Sequence, residues 1–107
     1  MTAVIKQEKL PQLYNSVLDE GQLFKLFQDI HACTDVLSVL SKPKPGQCVT
    51  RIHMDLNQAY QMLLSNEVRG VQIRYLYDRL EWWDTILVDG LHYKIVRISH
   101  PIDRGQE

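Results

Sequence analysis

The sequence predicts an α+β fold, with N-terminal helices and a central helix packed on a small, mostly antiparallel sheet that ends in a three-stranded meander. Apolar residues recur at helical spacing in the first two-thirds of the chain, and period-two runs fill its last third. Asp89-Gly90, between the last two runs, is a type I′ hairpin signal. The chain has 107 residues, 45% hydrophobic and 23% charged. That is the size and composition of one globular domain over residues 1–107, with a polar tail expected to fray from residue 99 to 107.

Taken in order, Leu10, Leu13, Tyr14, Val17 and Leu18 have helical spacing, and Pro11 suits a first turn. A helix is therefore expected there. A second is expected from Glu20 to Ala32, with a stripe of Leu23, Leu26, Phe27 and Ile30 and a capping box of Asp19 and Gln22. "DVLSVLSK", Asp35 to Lys42, reads as a strand because Val36 and Val39 favour one and "KPKPG" follows as a loop, although Leu37 and Leu40 could extend the helix. "QCVTRIHM" is a weaker extended segment. The central helix starts at an Asp55–Gln58 capping box and carries Leu56, Ala59, Tyr60, Leu63 and Leu64 on one face. It is expected to end near Val68, with Gly70 as the break. Three strands follow, at about Val71–Tyr77, Glu81–Val88 and Leu91–Ile98.

A two-residue Asp89-Gly90 turn would pair Val88 with Leu91, Ile86 with Tyr93, Asp84 with Ile95 and Trp82 with Arg97. Side chains alternate between the faces of a strand, so the adjacent Trp82 and Trp83 point opposite ways. The face with Trp82 carries only two charges, Asp84 and Arg97, and is expected to be inward. Trp83 then faces outward, opposite Val96, with Leu76, Leu87 and Ile98 nearby and Arg74, Lys94, Glu81 and His92 as a polar rim. Covering such a tryptophan gains roughly 2–4 kcal/mol. Either the N-terminal helices wrap over it or a partner does.

The formal net charge is −1, which provides no global field to recruit nucleic acid or anionic membrane. Asp78 and Glu81 also offset Arg74 and Lys94 on the outer face, which argues against stacking bases on Trp83. "MTAVIKQEKLPQ" lacks the apolar core of a secretory signal, and no apolar run approaches about 18 residues. A cytoplasmic protein with Cys33 and Cys48 reduced, and with no membrane segment, is expected. His31, Cys33, Cys48 and His53 have zinc-binding side chains, but His-x-Cys is too tight for the usual spacing, so no metal site is assigned. Glycine-rich phosphate loops and the nucleophile elbow are absent from the sequence, and no cofactor is expected.

The leading expectation is a non-enzymatic accessory or adaptor protein. It would act by contact with another protein or a second copy of itself, through Trp83, Arg74, Leu76, Lys94, Val96 and Ile98. A second reading is a small-molecule binder or enzyme with a pocket at Asp84, Arg97, Tyr75 and Tyr93, where a carboxyl in apolar surroundings would have a raised pKa. The simpler account of Asp84 and Arg97 is a structural ion pair. Nucleic-acid binding by the sheet face ranks third.

Overall fold

The computed structural model describes residues 12–46 and 54–102. The elements run β1 (Gln12–Leu18), α1 (Glu20–Cys33), β2 (Asp35–Lys42), α2 (Leu56–Leu64), β3 (Gly70–Tyr77), β4 (Leu80–Asp89) and β5 (His92–Pro101). The strands form one antiparallel sheet in the order β1-β5-β4-β3-β2, so the first two strands are its edges and the meander its middle. Leu23, Phe27 and Ile30 of α1 and Ala59 and Leu63 of α2 share one core with Val39, Val71, Ile73, Ile86 and Ile95. Both helices therefore cover the same face. Each of these large side chains contributes roughly 1.5–3 kcal/mol by leaving water.

Both capping boxes form. Gln22 N–H donates to Asp19 Oδ1 at 2.8 Å and Asp19 N–H to Gln22 Oε1 at 2.9 Å. Gln58 N–H donates to Asp55 Oδ1 at 2.7 Å and Asp55 N–H to Gln58 Oε1 at 3.1 Å. Such caps stabilise a helix start by about 1 kcal/mol each. They define α1 and α2 where the sequence places them. β2 also spans the expected residues, with a bulge between Val36 and Ser38.

The segment expected to be the first helix is instead β1. Leu13 and Val17 fall on one face of the strand and Tyr14 and Leu18 on the other, so the local spacing favours a helix, and the hydrogen bonds of β5 override it. Among the described residues the helices are thus two. The end of α2 also differs from expectation. Asn66, at φ 63°, takes the left-handed position after the cap residue Ser65. Asn66 N–H donates to the Leu63 carbonyl and Glu67 N–H to that of Met62, a Schellman closure that stops the helix at Leu64 rather than near Val68. Gly70 has another role: a Cβ there would collide with the Ile86 carbonyl oxygen and crowd Leu87 Cδ2 at 2.7 Å. The close approach of β3 to β4 requires glycine.

The hairpins carry a further correction. Asp89 pairs with His92, so the turn residues are Gly90 and Leu91. Gly90 has φ 64° and Leu91 is not among the positive-φ residues, the II′ pattern rather than I′. The type I′ pattern falls on the β3–β4 turn, where Asp78 and Arg79 have φ of 54° and 65°. The β4–β5 register is consequently two residues from the expected one: Val88 pairs with Tyr93, Ile86 with Ile95, Asp84 with Arg97 and Trp82 with Ser99. A slip of two leaves every paired side chain on its expected face. Leu91 alone leaves the inner set, 90% exposed at the turn. Residues 99–101, expected to fray, continue β5 instead; Ser99 is in register with Gln12 of β1 and Trp82 of β4 and is buried. The 47–53 part of the weaker extended segment, with Cys48 and His53, lies outside the described residues.

Candidate functional site

On the inner face, Asp84 and Arg97 are directly opposite each other on neighbouring strands. Arg97 Nε donates to Asp84 Oδ1 and Nη2 to Oδ2, both at 2.8 Å. Tyr75, one strand over, donates its hydroxyl to Oδ2 at 2.9 Å. Asp84 is fully buried, and both carboxylate oxygens are occupied. Trp82 stacks on Tyr75 with ring centroids 6.5 Å apart and an interplanar angle of 10°. The Arg97 guanidinium carbon lies 5.7 Å from the Trp82 ring centroid, at the outer limit of cation–π attraction.

The hydrogen bonds that Arg97 donates to Asp84 raise its pKa above the ordinary value, against the opposing effect of burial. The Tyr75 hydroxyl is also raised, by burial first and then by the Asp84 charge. Neither group titrates near neutral pH, and the geometry is that of a closed ion pair. Tyr93, expected in the same pocket, stands elsewhere. It pairs with Leu18 and Val88, and its hydroxyl is raised by burial and by Glu20 and Tyr60. A groove of about 440 Å³ beside the ion pair is lined by Leu26, Ile30, Tyr75, Tyr77, Trp82 and Arg97, among others.

On the outer face, Trp83 pairs with Ile98 on one side and Arg74 on the other. Val96, expected opposite it, lies one outer row away against Thr85 and Asn15. The Arg74 guanidinium carbon sits 4.1 Å from the Trp83 ring centroid. The indole N–H donates to Glu81 Oε2 at 2.8 Å. His100 packs on the ring at 4.5 Å between centroids. Leu76 lies beside Glu81 and Asp35, and Lys94 beside Leu87 and Val17. Trp83 is half-buried, while Leu13, next to Ile98, is 65% exposed. Both helices lie on the other side of the sheet.

Comparison with protein-family models, curated proteins and solved structures returned no match to this chain.

His100 and Leu13 are the parts of this surface that sequence reasoning missed. Lys94, Val96, Ile98 and His100 continue one alternation, which was the available signal; reading the tail as frayed cut it short. The Nε2 atom of His100 is shielded and has no hydrogen-bond partner among the described residues. A second missed feature is an apolar groove of about 730 Å³ between α1, β2 and α2, lined by Phe24, Phe27, Val36, Leu37, Leu56 and Tyr60, among others. Phe24 lies next to the predicted stripe of α1 and packs on Tyr60 at 5.9 Å. His31 and Cys33 are both exposed at the end of α1, and among the described residues no cluster of metal-binding side chains forms. No described helix is long and apolar enough to cross a membrane.

Proposed function

We propose that this is a small accessory protein of the cytoplasm that works by contact, receiving another protein on the outer sheet face around Trp83. One observation supports this reading above the rest. A half-buried indole is held in place by Arg74, Glu81 and His100, borders Ile98 with Leu13 one strand beyond, and has neither described helix over it. An aromatic centre with a charged rim is the usual anatomy of a contact surface. The His100 Nε2, without a hydrogen-bond partner among the described residues, adds to the case, since a shielded unbonded nitrogen costs about 1–3 kcal/mol and is not a feature that stability alone would favour. The occupied Asp84 carboxylate favours a non-enzymatic reading. Cys33 is a free, exposed thiol, in keeping with a reducing compartment.

The test is Trp83→Ala beside wild type, in a pull-down from native lysate and in a thermal melt. A folded variant that loses a partner retained by wild type supports the reading. A variant that unfolds, or that retains every partner, removes it. A second reading, a small-molecule site, has the groove beside Arg97 in its favour: Arg97 gives two of its five N–H donors to Asp84, leaving others at the groove. A small-molecule library screened by thermal shift against wild type and Trp82→Ala would find ligands stabilising only the former if that reading held.

A further inference from the structure

The two edges of the sheet are built differently. β2 carries charges at both ends, Asp35 and Lys42, and a bulge that breaks its regularity. These are the devices by which proteins keep an edge strand from pairing with another chain. β1 has none of them. Its sequence QLYNSVL has no charge and no proline, and its seven-residue register with β5 is unbroken. Leu13, Tyr14 and Val17 are 65%, 54% and 54% exposed. Among the described residues nothing pairs with its outer side, where half of its main-chain N–H and C=O groups point.

We infer that β1 pairs antiparallel with β1 of a second copy, joining two five-stranded sheets into one of ten strands. This contact lies along the sheet edge, meets the Trp83 face only at Leu13, and does not rest on the reading of that face. The choice of a second copy comes from the strand's own pattern. A two-fold axis through Asn15 pairs Gln12 with Leu18, Leu13 with Val17 and Tyr14 with Ser16 of the other copy. All seven residues are used, no charge is placed in the seam, and the two exposed aliphatic side chains meet twice on the outer face. Moving the axis to Ser16 would set Leu13 against Asp19, which lies outside the strand. A hollow of about 470 Å³ is lined by Asn15, Ser16 and Val17 of β1 together with Lys94, Ile95 and Val96 of β5.

The axis stands perpendicular to the sheet, so both copies keep their helices on one side and both Trp83 faces on the other. Seven residues span about 24 Å of edge. Such a strip buries less than the ~1,200 Å² of a standard stable interface, so the dimer is weak and concentration-dependent.

Sedimentation from ten to several hundred micromolar should take wild type from monomer toward dimer mass. Val17→Lys should stay monomeric at every concentration, with an unchanged circular dichroism spectrum because the side chain is exposed. Trp83→Ala should follow the wild-type curve. In a Cys33→Ser, Cys48→Ser background, Asn15→Cys should oxidise to a covalent dimer, since that residue meets its own copy. Leu13→Cys should not, since it lies about 13 Å from its own copy. A wild type that stays monomeric throughout, a dimer disrupted by Trp83→Ala but not by Val17→Lys, or equal cross-linking at both positions would overturn the inference.

Discussion

Trp82 and Trp83 are neighbours in sequence and opposites in surroundings. Trp82 stacks on Tyr75 near the Arg97–Asp84 pair and donates its indole N–H to the Tyr77 carbonyl at 3.0 Å. Its neighbours are satisfied by one another. Trp83 is held by Arg74, Glu81 and His100, but its apolar border of Ile98, with Leu13 one strand beyond, remains partly open to water. The difference shows where polar groups stabilise the fold and where they serve to position a surface. On the inner face, polar groups neutralise one another beneath a helix layer. On the outer face, they set an aromatic ring in a fixed pose on the side away from both described helices.

The strongest way to break this contrast is at the ion pair. Arg97→Met leaves a fully buried carboxylate without its cation, and should lower unfolding free energy by about 3 kcal/mol, read from a urea titration. Replacing the whole group together (Asp84→Leu, Arg97→Met and Tyr75→Phe) should recover most of that loss, because no buried charge then remains. A triple variant as unstable as the single one would show that the group does more than satisfy itself.

Next in size is the hydroxyl of Tyr75. Tyr75→Phe removes a hydrogen bond to a charged group and should cost about 1.5–3 kcal/mol. It should also change the alkaline limb of stability. The Tyr75 pKa is raised in the fold, so its contribution is intact below the ordinary value of 10.0 and is lost as pH climbs above it. Tyr60 and Tyr93 shift the same way, so the variant should show a shallower decline above about pH 10, not a flat one. An unchanged slope would mean that the hydroxyl is not protected as the geometry implies.

Trp83→Ala should cost less, about 1–2 kcal/mol, since the ring is only half-buried and its polar partners can turn to water. Guanidinium titration of this variant beside Trp82→Ala would sharpen the comparison, the inner replacement being the more damaging. The smallest effect belongs to the turn that sets the β3–β4 register. Arg79, at φ 65°, occupies a position that suits glycine, and Arg79→Gly should raise the melting temperature, through a gain of about 0.5–1 kcal/mol. A loss would show that the arginine side chain has a role of its own.

Both helix starts, β2 and the division of the meander into two faces were legible because their signals are local. A capping box needs residues three apart, and alternation needs only a neighbour. The site was legible to the same extent. Arg74, Trp83 and Ile98 were placed together correctly by parity, while His100 was lost with the tail and Tyr93 was assigned to the wrong group because the register was off by two residues. The II′ turn escaped for a related reason: Asp89-Gly90 resembles the I′ dipeptide, and which residues occupy the turn depends on how the flanking strands pair.

By itself, the sequence determined the side-chain alternation of the last three strands and therefore the opposite fates of the two indoles, since a period of two survives any even slip in pairing. Only the tertiary structure decided that residues 12–18 are a strand, that Asp84 meets Arg97 head-on, and that both helices lie on one side. Each of these depends on a partner distant in the chain. β1 is a strand because β5, some eighty residues later, supplies the hydrogen bonds that its local pattern would otherwise have found in a helix.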